Sequence, residues 1–180
     1  MNLKKIKILS VLGIFLLSFL SHFAYKLFPN IIFSFIFPVN ESIWEHMKIL
    51  FTSTLLYGII DYLLLKKYNI KYNNFNFQLY FTALIGIPIY LVIYLPLYNL
   101  LGESPIISIS LLLIVYIITQ IVSYNILKEK ELKILNLITI PVILLSYLGF
   151  IYLTYNPPHT YIFYDINEDK YSINDYIKLE

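Results

Sequence analysis

Apolar residues fall into five long blocks, at about 8–28, 43–65, 78–101, 106–127 and 134–155, with short polar breaks between them. Each block reaches the roughly 20 residues that a helix needs to cross a bilayer. The breaks carry helix-ending residues: Pro29-Asn30, Pro38-Val39-Asn40, Lys66-Lys67, Gly102-Glu103-Ser104-Pro105 and Asn156-Pro157-Pro158. The pattern predicts an all-α fold, a polytopic transmembrane helical bundle of five spans. A sixth apolar stretch at 31–37 is too short to cross and is expected in the interface or dipping into the bundle. The helical domain covers 1–158, and a polar, aromatic tail covers 159–180. Pro88 and Pro96 lie inside the third block and predict a bend, with Leu84 and Val92 left as free carbonyls. Gly86 predicts a close neighbour. The first block is read as a retained helix rather than a cleaved leader, because bulky His22 stands two residues before the only small-residue candidate, Ala24.

Composition agrees with lipid as the solvent. Of 180 residues, 59% are hydrophobic and 13% charged, against about 25% charged in an ordinary soluble domain. The mean hydropathy is +0.72. There is no cysteine, which excludes disulfides, thiolate metal sites and thiol nucleophiles. A net charge of +2, with lysines at helix ends rather than in one patch, excludes a nucleic-acid surface.

Lysines set the expected orientation, since positive loops stay cytoplasmic. With five spans and the N-terminus inside, Lys4, Lys5, Lys7, Lys66, Lys67, Lys71, Lys128, Lys130 and Lys133 fall inside. Lys26, Lys48, Lys170 and Lys178 fall outside, together with Glu41, Glu45, Glu103, Asp165, Glu168, Asp169, Asp175 and Glu180. The C-terminus is then extracytoplasmic.

This topology places all three histidines at one face: His22 late in the first span, His46 in the first turn of the second, and His159 directly after the fifth. Glu41 and Glu45 flank His46. Imidazole and carboxylate together suit Zn²⁺ or another divalent first-row metal. The candidate ligands are His22, His46 and His159, with Glu45 as the catalytic carboxylate and Glu41 and Trp44 as further candidates. A shared ion requires the three histidines within about 8 Å of one another, given bond lengths of about 2.0–2.2 Å. A structural reading competes. Ser42 and Glu45 have capping-box spacing, Glu45 complements the helix dipole, Trp44 is an interfacial anchor, and Lys48 can snorkel outward. No local metal-ligand spacing such as His-Glu-x-x-His is present.

Asp61 is the other outlier. It lies one turn before Lys66 and is expected to sit in the interface beside Lys66 or Lys67, with a proton or cation site as the alternative. It is about 22 Å along the helix from His46, so the two cannot share an ion.

The residues His22-Phe23, the string Pro38-Val39-Asn40-Glu41-Ser42-Ile43-Trp44-Glu45-His46-Met47-Lys48, and Pro157-Pro158-His159 together resemble a group of small bacterial membrane proteins known only as a domain of unknown function. The resemblance covers nearly the whole chain and implies the same multi-spanning architecture. It implies no reaction or cofactor.

Three function classes follow. One is a membrane enzyme in which a divalent metal such as zinc hydrolyses a lipid or peptide. Another is a small carrier or sensor using Pro88, Pro96 and Asp61. The third is a structural subunit that binds a partner through 159–180. Bound metal, substrate-dependent flux and partner co-purification separate them.

Overall fold

The structure is a computed structural model that describes residues 1–177. Lys178 and Glu180, counted above on the outer side, lie outside the described residues. Those residues form helices α1 (Leu3–Leu27), α2 (Ile31–Ile36), α3 (Ile43–Lys67), α4 (Phe75–Leu101), α5 (Pro105–Lys128), α6 (Lys133–Tyr155) and α7 (Ile173–Ile177). No strand occurs among them, only an isolated bridge between Asp165 and Lys170. Five helices are long and apolar enough to cross a membrane: α1, α3, α4, α5 and α6.

Neighbouring pairs α1·α3, α3·α4, α4·α5 and α1·α5 close a ring of four helices, and α6 packs outside it against α4 and α2. The hydropathy pattern explains the arrangement. α3 is the least apolar span and the most buried, whereas α6 is strongly apolar and mostly exposed. Helices that face lipid need apolar surfaces all round, while the inner helix can carry polar groups that meet partners.

Close helix contacts come from small residues. α1 turns a stripe of Ile6, Ser10, Ile14, Ser18 and Ser21 inward, at the spacing of one helix face. Gly13 lies against the Tyr57 ring of α3, so close that a Cβ would fall 2.0 Å from it. Gly86 faces Val115 and Thr119 of α5, which is the close neighbour expected there. α4 runs as one helix through Pro88 and Pro96.

Two ends can be distinguished. At one lie the N-terminus, Lys66, Lys67 and the α5–α6 loop; Asn73 donates to the carbonyls of Leu127 and Glu129 at 2.9 and 2.8 Å. At the other lie α2, the turn at 37–42 and the segment after α6. This second end carries all three histidines and is called the histidine end below.

Asp61 departs from its expected place. It is buried, at 3% exposure, and its partner is Lys7 of α1 at 2.5 Å, not Lys66 or Lys67. Ser10 donates to it at 2.6 Å, and Lys7 also reaches Gln120 of α5 at 3.4 Å. The reason is register. α1 begins at Leu3, with Asn2 capping Lys5 N–H. Lys7 is therefore already inside the helix, on the stripe that faces α3.

Candidate metal centre

The turn between α2 and α3 builds the site. Asn40 Oδ1 accepts Ser42 N–H at 3.1 Å, and Ser42 Oγ accepts Glu45 N–H at 3.3 Å, which starts α3. Only half of the capping box forms. The Glu45 carboxylate turns away from Ser42 and accepts Val39 N–H at 3.0 Å, the Thr154 hydroxyl at 2.8 Å and Lys48 Nζ at 2.8 Å. Lys48 does not snorkel to the surface. It is fully buried and also donates to the Ser34 carbonyl at 2.9 Å. Thr52 donates to the Ile36 carbonyl at 2.9 Å. These donors satisfy carbonyls that the end of α2 leaves without intrahelical partners, and Lys48 places its charge at the negative end of that short helix. Glu45 and Lys48 are three residues apart, a spacing that puts both on one helix face. That signal was available in the sequence.

Glu41, on the other side of the turn, points toward the histidines. Its Oε2 lies 3.3 Å from His46 Nε2 and 3.8 Å from His22 Nε2. One ligand atom from each of the three residues lies within 4.8 Å of the other two. The imidazole rings stack with centroids 5.2 Å apart and planes at 25°. Two ligands at about 2.0–2.1 Å from a tetrahedral ion stand about 3.3–3.4 Å apart. The His46–Glu41 distance already matches this, and His22 must move closer to complete the set.

Hydrogen bonding fixes the chemistry of His46. Its Nδ1 lies 2.8 Å from the Ser42 carbonyl, which can only accept, so Nδ1 carries a proton. In neutral imidazole Nε2 then offers a lone pair to a carboxylate that is also an acceptor. A positive species must stand between them, either a proton or a metal ion. An Nδ1–H donated to a backbone carbonyl is also the usual support for a metal-bound histidine. The His46 hydrogen bond first, and then the charges of His46, His22 and Lys26, hold the Glu41 carboxyl below the usual carboxylate range despite partial burial.

The segment after α6 completes the support. Glu41 N–H donates to Asp165 Oδ2 at 2.9 Å, while Asp165 Oδ1 accepts Asn167 N–H at 2.9 Å. Trp44 N–H donates to the Ile162 carbonyl at 2.9 Å. Residues 161–167 thus fold back over the histidine end. Beneath them a cavity of about 320 Å³ opens among α1, α3, α4 and α5. His22, Glu41 and His46 form part of its wall. Tyr90, Tyr94 and Tyr98, stacked along one face of α4 at 5.0 and 5.8 Å, form another.

A family of unknown function, DUF6512, matches residues 1–173. The chain belongs to that family. The match takes in all five long helices, the turn that carries Glu41, and Asp165. No curated protein and no solved structure matches the chain.

The candidates singled out in the sequence separate into two groups. His22, His46 and Glu41 converge. His159 stands apart, with its ring stacked on Tyr171 at 4.5 Å. The rigid Pro157-Pro158 turn carries it past the end of α6, onto the exterior of the folded-back segment. Glu45 faces Lys48 and Thr154, away from the histidines. Trp44 packs between Phe150 and Phe163 at 5.8 and 5.0 Å. Sequence reading did not single out Asp165 as a support for Glu41. Its partner is 124 residues away in the chain, and no local pattern announces it.

Proposed function

We propose that the chain is a multi-pass membrane protein whose His22, Glu41 and His46 hold a divalent first-row metal, zinc foremost, for hydrolysis of an amphiphilic substrate. The observation that carries this reading is the convergence of three ligand atoms from three segments within 4.8 Å of one another. Two imidazoles and one carboxylate leave a fourth position open, as catalytic zinc centres do. A metal held by these residues would acidify a bound water for attack on an ester or amide carbon or on phosphorus, the leaving group departing with the water's proton. The rival arrangement is an imidazolium–carboxylate lock without metal.

Metal analysis decides between them. Protein purified in detergent without chelators is expected to carry about one equivalent of zinc. His22→Ala, His46→Ala and Glu41→Gln each lose most of it while remaining folded, whereas His159→Ala keeps it. Metal-free wild type that unfolds more readily after each of the three substitutions would establish the lock instead. The pH profile has a defined sign. Glu41 lies among His46, His22 and Lys26, and its carboxyl is held below the usual carboxylate range. Imidazole must be neutral to bind metal, so bound metal is expected to fall as pH is lowered. Metal content that does not fall on acidification would contradict the histidine ligands.

The lysine distribution supports an N-terminus in the cytoplasm and a histidine end outside it. A reporter fused after residue 180 is expected to be extracytoplasmic, and one inserted at Asn73 cytoplasmic. A cytoplasmic signal from the C-terminal fusion would reverse this orientation.

A further inference from the structure

Two hollows meet at the histidine end. One is the cavity that contains the metal centre. The other is a shallow groove on the outward face of α1, formed by Phe19, Leu20, Phe23, Lys26 and Leu27. Phe19 and Phe23 belong to both. They are 38% and 48% exposed on the face of a helix long and apolar enough to be surrounded by lipid. Across from them Ile109 of α5 also lines the cavity while 40% exposed. Deeper in, two turns beyond Ile109, Ser18 of α1 and Tyr116 of α5 share a hydrogen bond at 2.6 Å. The wall between cavity and lipid is thus made of three apolar side chains above a polar latch.

The interior is graded. Glu41, His22 and His46 stand near the mouth, and Leu50, Leu112 and the rings of Tyr90 and Tyr94 line the part that reaches inward. From Tyr98 to Tyr90 it extends about 12 Å along α4. A molecule matching this gradient carries its reactive group near one end and an apolar chain behind it.

Charge narrows the head. Lys26 closes the outer end of the α1 groove, exposed, and its charge is felt at both His22 and Glu41. A divalent ion on the triad would add to it. Glu103 is the cavity's other carboxylate and lies on the α4–α5 turn, so an anionic head is drawn to the α1 side. We propose that the substrate is a phosphate-bearing membrane lipid that passes sideways from the bilayer between Phe19 and Phe23 of α1 and Ile109 of α5, bringing its phosphoester to the His22–Glu41–His46 centre. This rests on the metal reading above. In the reaction the metal-held water bonds to phosphorus, a phosphorus–oxygen ester bond breaks, and the water's proton ends on the released alcohol. No redox partner is involved.

The test uses full-length protein loaded with Co²⁺, whose visible spectrum reports the open metal position. The probe is short-chain phosphatidic acid in neutral-detergent micelles. It is expected to shift the spectrum saturably, with inorganic phosphate at the same concentration far weaker. Lys26→Gln should weaken the apparent affinity about fivefold, the contribution of one lysine toward an anionic lipid. Phe19→Trp combined with Phe23→Trp, which crowds the doorway, should slow the spectral change at least tenfold with Co²⁺ content unchanged. If Co²⁺ does not bind, the metal reading itself fails. If it binds but phosphatidylcholine acts as strongly as phosphatidic acid, the anionic head is wrong. An equal response to inorganic phosphate or to a neutral peptide overturns the lipid route.

Discussion

Replacing Lys48 by methionine is expected to lower the unfolding free energy by about 3–5 kcal/mol, the usual consequence of removing one partner from a buried ion pair. The substitution keeps the aliphatic stem but leaves the Glu45 carboxylate, 3% exposed, with only Val39 N–H and the Thr154 hydroxyl. It also removes the donor to the Ser34 carbonyl at the end of α2. Denaturation in mixed micelles, followed by circular dichroism, measures the loss. Lys48→Met with Glu45→Gln should recover part of it, because no lone charge then remains inside. A change below about 1 kcal/mol in the single variant would mean that water reaches this pair. The same experiment separates Glu45 from catalysis. Metal bound per folded molecule should stay constant in Glu45→Gln and fall in Glu41→Gln.

The second large effect belongs to the opposite end. Lys7→Met and Asp61→Ala should each destabilise by about 3–5 kcal/mol for the same reason. The double variant should be less damaged than the sum of the two singles, and the difference is their coupling energy. Both groups are nearly inaccessible, and Asp61 also receives the Ser10 hydroxyl. Additive single effects would remove the pair as a link between α1 and α3. Were Asp61 instead a transported-ion site, Asp61→Asn would abolish flux with little change in stability.

Some of this was legible in the sequence because its physical cause is local. The five spans follow from apolar length alone. Prolines and paired lysines mark their ends to within a few residues; α3, for example, extends to Lys67 where 65 was expected. The common level of His22 and His46 follows from counting residues back from the breaks. The helix faces were harder to read. Glu41 and Glu45 are four residues apart on either side of a helix start, and their side chains diverge because Glu41 precedes the helix. The capping-box rule described Glu45's backbone correctly but said nothing of a lysine one turn further on. Asp61 was assigned to the nearest lysines in the sequence, whereas its partner lies 54 residues earlier. Proximity in sequence is a poor guide once two helices run side by side.

The hydrogen bond from Glu41 to Asp165 also bears on how the protein is made. His22, Glu41 and His46 are all synthesised before α4. The carboxylate that holds Glu41 in position is synthesised only after α6. A nascent chain with two or three helices inserted therefore has its ligands but not their brace. On the proposed metal reading, full bracing of the centre would wait for completion of the bundle.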